Sequence, residues 1–428
     1  MNDPAPAVPY GSRVRGCLLG GAVGDALGNP VEFDSLARIR ARYGPAGLTA
    51  MVETEITDDT QMTLFTAEGL IRARLHSGDP LTSVSDAYLR WLDTQSRTAP
   101  PSQYGNTGRA TSGGTGGGIG GGGESGTGGG TNGGTGRATS GDAGGGFRTG
   151  WLRTERWLYA RRAPGNACLS GLRSRIVPPP PETPLAHGPV NPGSKGCGTV
   201  MRSAPFGLLP RTEPAGDPAL LAVAAARLTH GHPTAAIASG ALAHLVSRLV
   251  AGDDLAGAVD SADEWLSAFD GQGREHRETR EALRAARKLA EAGDPSPEKV
   301  ETLGGAWIAE EALAIAVYCA LAEPDPRRAL LLAVNHSGDA DSTGAICGNI
   351  IGAAYGEAAL PANWAEAVEG RRTILRIADD LVAVFGGAAD DPAHGPGHGP
   401  ADDPADGPAG GASGGPLPGD LAARYPSA

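Results

Sequence analysis

NHSGDADSTGAICGNIIGAAYG, residues 335–356, carries the pattern that decides how this 428-residue chain is read. Asp339 and Asp341 lie two residues apart, after Gly338 and before the hydroxyls of Ser342 and Thr343. Residues two apart on an α-helix point to different faces, so these carboxylates converge only from an irregular turn. Ser342 and Thr343 are good N-cap types and an apolar run follows, which predicts a helix over 341–356. Gly344, Gly348, Gly352 and Gly356 recur every four residues and make one smooth stripe on that helix. Each glycine costs roughly 1 kcal/mol against alanine in a helix interior, so four in register predict a second backbone close by. The stretch reads as a buried helix that delivers a carboxylate-rich turn to a site.

Composition supports packed helices around it. Hydrophobic residues make up 40% of the chain and aromatics only 5%, with alanine and leucine abundant, which favours helices over β-sandwiches. The net charge of −12 gives no electrostatic footing to nucleic-acid binding. Five cysteines (Cys17, Cys168, Cys197, Cys319 and Cys347), odd in number and without CxxC spacing, suggest reduced thiols and a cytoplasmic protein. Arg13-Val14-Arg15 before an apolar run mimics a secretory peptide, but Asp25 interrupts that run early. No stretch approaches the ~20 apolar residues of a membrane span.

Helical periodicity is read at 11–28, 60–76, 82–94, 217–229, 233–251, 254–269, 275–292, 305–322, 341–356 and 363–384. Between them, 105–150 holds 23 glycines in 46 positions and repeats Gly-Arg-Ala-Thr-Ser-Gly, a composition that cannot offset its ordering entropy. It reads as a flexible insertion despite its many GxG matches. Residues 1–10 read as a disordered leader and 386–428, rich in Gly, Pro, Ala and Asp, as a disordered tail. One helical domain over 11–385 is expected.

A second acidic turn, Thr57-Asp58-Asp59-Thr60, precedes the helix at 60–76. Each turn alone reads equally as a helix cap, where Asp and Thr satisfy free N–H groups. Together they bring four carboxylates without nearby Lys or Arg, which repel unless a cation lies between them. Oxygen donors of this kind select Mg²⁺, Mn²⁺ or Ca²⁺ over zinc, and two turns suffice for two ions. Glu32, in Gly24-Asp25-Ala26-Leu27-Gly28-Asn29-Pro30-Val31-Glu32-Phe33, is either an inward-aimed carboxyl or a surface one, while Asp25 reads as a cap for neighbouring backbone. The glycines of 191–202, around Ser194-Lys195-Gly196-Cys197-Gly198, suit close approach of a ligand to backbone N–H groups. His230 and His232 stand at a helix junction and lack zinc spacing, leaving substrate contact or turn packing.

In order, GCLLGGAVGDALGNPVEF, TDDT, RRAPGNACLSGLRS, GSKGCGTVMRSAPFGLL, THGHP and NHSGDADSTGAICGNIIGAAYG closely resemble the ADP-ribosylglycohydrolase family across 11–384, outside the insertion. The resemblance implies an all-α orthogonal bundle with a binuclear Mg²⁺ or Mn²⁺ centre. It implies metal ligands at Thr57, Asp58, Asp59, Asp339, Asp341 and Ser342, where Ser342 stands in a position at which many members carry threonine. Serine keeps the oxygen and loses the stiff β-branch. It further implies substrate contacts from Ser194, Lys195, Gly196, Cys197, Gly198 and His230, with Glu32 and Asp339 as the catalytic carboxylates.

The expected activity is therefore hydrolysis of an N- or O-glycosidic bond between ADP-ribose and a modified acceptor, a protein side chain or a small molecule, by a monomer. Three alternatives stand beside it: a binuclear-metal phosphohydrolase, a non-catalytic ADP-ribose-binding or structural relative, and a helical scaffold whose insertion and tail recruit partners.

Overall fold

The computed structural model describes residues 8–101, 149–178, 185–210, 217–270, 275–386 and 419–426. Their architecture is all-α. The one pairing of extended backbone among them is an isolated antiparallel bridge between Gly196 and Ile308. In chain order the helices are α1 (Tyr10–Gly28), α2 (Leu36–Tyr43), α3 (Asp58–Leu75), α4 (Pro80–Ser96), α5 (Asn166–Ser174), α6 (Ala204–Gly207), α7 (Pro218–Ala226), α8 (Pro233–Val250) and α9 (Leu255–Ser267). There follow α10 (Glu275–Glu291), α11 (Pro297–Glu301), α12 (Ala309–Ala322), α13 (Pro326–Val334), α14 (Ala340–Tyr355), α15 (Ala362–Ala367), α16 (Arg371–Phe385) and α17 (Gly419–Arg424).

Local chemistry explains where several of them begin. Asp79, Asp217, His232, Ser296 and Asp325 each cap a helix whose first residue is proline. The cap side chain satisfies a free N–H and the proline needs none at that position. The last of these pairs opens α13, a helix the periodicity reading passed over. The helix read at 305–322 starts only at Ala309, because Gly304 turns at φ +122° and 304–308 is diverted to the bridge with Gly196. The helix read at 363–384 is two, α15 and α16, divided at Gly370, where φ is +72° and a Cβ would lie 2.5 Å from the Trp157 ring.

The glycine stripe of α14 meets a matching stripe on α1. A methyl group on Gly352, Gly348 or Gly344 would stand 1.8, 1.9 or 2.3 Å from the carbonyl oxygen of Gly16, Gly20 or Gly24. The helices run antiparallel in backbone contact, and even at the end of the seam a methyl on Gly28 would be 2.3 Å from the Ala340 oxygen. This seam fixes the position of the site: it sets the end of α1, and Glu32 just beyond it, beside the acidic start of α14. Around the pair, α12 and α13 pack on α14, and α16 on α1.

Residues 1–7 of the expected leader, 105–148 of the expected insertion and 387–418 with 427–428 of the expected tail lie outside the described residues. The tail reading is corrected at 419–426. These residues form α17 and its exit, with Leu421 and Tyr425 buried against the domain. A window averaged over Gly- and Pro-rich neighbours hides so short an apolar pair.

Candidate active site

Three helix starts and one loop build a cleft of about 250 Å³. Thr57 caps α3 by accepting the Asp59 N–H at 3.3 Å. Asp25, fully buried on α1, accepts the Thr57 N–H on both oxygens at 3.0 Å and the Thr60 N–H at 3.0 Å. It is the backbone cap the sequence suggested, and it ties the acidic start of α3 to α1. On α14, Asp339 is the N-cap, accepting the Ser342 N–H at 3.4 Å. The turn before it needs glycine: Gly338 sits at φ +136°, and a Cβ there would lie 2.2 Å from the Gly305 oxygen.

These turns bring Glu32, Asp58, Asp59, Asp339, Asp341 and Ser342 to one wall of the cleft. Glu32 is the inward-aimed carboxyl of the two readings. It offers, with Asp339 and Asp341, one oxygen each within 4.8 Å of one another. The Asp59 Oδ2 atom is buried and has no hydrogen-bond partner. Burial first, and neighbouring carboxylates second, push the Glu32 carboxyl up to about 8 and that of Asp58 up to about 7. The same causes hold Asp59 and Asp341 well above the usual carboxylate range. No cation appears among these causes, so the bare cluster retains protons near neutral pH. An all-oxygen, strongly acidic, buried set with an orphaned oxygen fits a hard divalent cation such as Mg²⁺ or Mn²⁺.

The facing wall is the glycine loop. The Cys197 N–H donates to the Trp307 carbonyl at 3.2 Å and the Ala309 N–H to that of Lys195 at 2.9 Å, which pins the loop to the start of α12. Ser194, Gly196, Cys197 and Gly198 line the cleft, and the Cys197 thiol donates to Asp339 Oδ2 at 2.7 Å. His230 lies behind this loop and also lines the cleft. Burial and the nearby Arg202 guanidinium lower its pKa to about 3, so its ring is neutral, with Nδ1 held by the Thr229 hydroxyl at 2.7 Å. Arg202 donates to that same hydroxyl at 2.7 Å and lies over the Tyr88 ring. His232, by contrast, packs the turn: it caps α8 and meets His187 edge to face.

Two expected residues fall outside the cleft lining. The Thr57 hydroxyl serves as the α3 cap, and the Lys195 ammonium is turned to Glu310 and to Glu278, the latter at 2.8 Å. The reading in turn missed several that line it. Gly165, Asn166 and Cys168 form a third wall, and the Gly165 backbone partly offsets the upward push on the Asp58 carboxyl. Their signal was present as the Arg-Arg-Ala-Pro-Gly-Asn-Ala-Cys segment at 161–168. Trp307 lies at the mouth, 47% exposed, stacked 5.7 Å from the ring of Phe33, 71% exposed. Nothing in spacing alone pairs residues so far apart in sequence.

The class of protein that this all-α scaffold and acidic cleft define follows from comparison with known proteins. The sequence profile of the family ADP-ribosylglycohydrolase matches residues 6–149 and 140–391, and the chain belongs to that family. It is 24% identical over 384 residues to the ADP-ribosyl-[dinitrogen reductase] glycohydrolase of Rhodospirillum rubrum, covering 87% of this chain and 97% of the relative. It is also 28% identical over 385 residues to an uncharacterized protein of Archaeoglobus fulgidus, covering 86% and 95%. A solved structure described as an ADP-ribosylglycohydrolase-related protein complex has the same fold, with a TM-score of 0.53 at 23% identity over 88% of this chain and 99% of that one. Membership places the chain among hydrolases of ADP-ribosyl linkages. None of the helices among the described residues is long and apolar enough to cross a membrane.

Proposed function

We propose that the chain is a Mg²⁺- or Mn²⁺-dependent glycohydrolase that cleaves the bond between C1″ of ADP-ribose and an acceptor, a protein side chain or a small molecule. The observation that carries this reading is the buried carboxylate cluster with its orphaned Asp59 oxygen, facing a glycine loop across the cleft. Asp58, Asp59, Asp339 and Asp341 would hold two ions, with the hydroxyls of Thr57 and Ser342 at the same two turns. Bound there, the ions supply Lewis acidity and lower the pKa of a water.

The chain's own groups divide the remaining work. The glycine loop admits the diphosphate against backbone N–H groups, since Gly196 and Gly198 carry no side chain to block it. Neutral His230 adds a contact behind the loop without adding charge. Departure of the acceptor leaves oxocarbenium character at C1″, which the surrounding carboxylates stabilise. Asp339 steers the attacking water, and Glu32 assists by carrying a proton or holding the ribose. The exposed Phe33–Trp307 pair forms the mouth on the side of Glu32, where the acceptor leaves.

The test is ADP-ribose release from arginine- and serine-modified peptides with Mg²⁺, with Mn²⁺ and after chelation. Cation-dependent release of ADP-ribose is the expected result. Release of AMP would identify a phosphohydrolase instead, and cation-dependent binding of ADP-ribose without release from any acceptor would identify a non-catalytic relative.

A further inference from the structure

A second recognition surface lies on α3 and α16, formed by residues that take no part in the cleft. Its occupant is residues 419–426. Leu421 and Tyr425, one helical turn apart, are 1% and 0% exposed. The Tyr425 hydroxyl donates to Asp380 Oδ2 at 2.7 Å, and Arg424 takes both oxygens of the same carboxylate through Nε at 3.0 Å and Nη2 at 2.5 Å. Asp380 is itself buried on α16. At the far end of the segment, His76 Nε2 meets the Tyr425 carbonyl at 2.8 Å, and Arg72 Nη1 donates to the Pro426 carbonyl at 2.9 Å. Anchors at i, i+3 and i+4 on a short helix are how an amphipathic peptide fills a groove.

The same surface receives a second returning segment. Arg72 Nη1 also donates to the Thr149 hydroxyl at 3.2 Å, and Tyr425 lies against Trp151. Thr149 to Trp151 is where the chain rejoins the described fold after the glycine-rich stretch. Gly150 is wedged there, at φ +116°, where a Cβ would stand 2.4 Å from Arg72 Nη2 and 2.5 Å from Glu68 Oε1.

We propose that this groove is a peptide-docking surface for the chain's own 419–426 segment, which acts as a separable strap fastening residues 149–158 to α3. Residues 387–418 join the strap to α16 in one chain, so docking is intramolecular and its effective concentration exceeds that of a free peptide. An intrinsic affinity that is weak for a free peptide therefore keeps the groove filled.

The experiment uses the full-length chain with Leu421→Ser and Tyr425→Ala together, which empties the groove without touching the cleft. Hydrogen exchange at residues 149–158 should then rise by roughly tenfold or more as the local opening cost falls. A synthetic peptide of native sequence 419–426, added in trans, should bind the double variant and restore protection. The same peptide carrying Tyr425→Ala should do neither. Asp380→Asn in the double variant should weaken native-peptide binding, since it removes the charge that both Arg424 and Tyr425 address. Unchanged exchange in the double variant, or an emptied groove that takes up no native peptide, overturns the proposal.

Discussion

Asp59 and Glu68 are both buried carboxylates of α3, and their surroundings differ in kind. Glu68 is shared by two buried guanidinium groups, Arg72 at 3.3 Å and Arg90 at 2.9 Å. Asp59 has like charges for neighbours and one oxygen with no partner. A buried charge that meets fixed cations holds the fold together. One that meets only other carboxylates is costly until something mobile neutralises it. The two acids of one helix thus differ in whether the fold supplies the balancing charge.

The contrast is sharpest if the two acids are neutralised in turn. Asp59→Asn should lower cation-dependent ADP-ribose release on the order of 10³-fold, the loss of several kcal/mol of charge stabilisation. Its cation-free thermal midpoint should hold or rise, because the amide is neutral without having to take up a proton. A midpoint that falls while turnover survives would make Asp59 a structural acid and break the comparison. Glu68→Gln should do the reverse. Removing the carboxylate charge shared by two buried arginines costs about 3–5 kcal/mol, read as a lower midpoint with turnover per folded molecule retained.

The seam that assembles the cluster offers a third lever. Gly348→Ala puts a methyl 1.9 Å from the Gly20 oxygen, so the backbones must part. Overpacking of this kind costs about 1–3 kcal/mol. Calorimetric Mn²⁺ affinity should fall as well, since α1 carries Glu32 away from Asp339 and Asp341. An unchanged affinity would show that the cluster does not depend on the seam.

Acidity gives the gentlest test. Glu32 and Asp58 bind protons more tightly folded than unfolded, at about 8 and about 7 against ordinary values of 4.5 and 3.8. Their contribution to the stability of the cation-free chain is therefore fully present below pH about 4 and is lost as pH rises through 7 and 8. Chemical denaturation of the chelated protein should show that decline, and Mg²⁺ or Mn²⁺ should oppose it increasingly toward pH 8 by binding the ionised form. A cation increment independent of pH would mean that the ions bind elsewhere.

The helical class and most helix positions were legible because apolar periodicity is a local signal. The acidic turns were legible too, as pairs of aspartates beside hydroxyls, and the stripe on 344–356 announced a close backbone. Its partner was not announced, although Gly16, Gly20, Gly24 and Gly28 repeat at the same spacing. A stripe states that something approaches, and only packing states what. Cap and cleft roles were likewise divided by geometry: Asp25 satisfies the backbone N–H groups of Thr57 and Thr60, whereas Glu32 faces Asp339 and Asp341.

Sequence alone therefore determined the helical class, most of the longer helices, the acidic turns and the family likeness, since each is encoded in residues near one another along the chain. Tertiary structure alone decided which carboxylates share a site, that Lys195 is turned to Glu310 and Glu278, that Phe33 stacks on Trp307, and that 419–426 returns to the core. These are contacts between residues far apart in sequence, and burial and charge at such places depend on what the fold brings alongside.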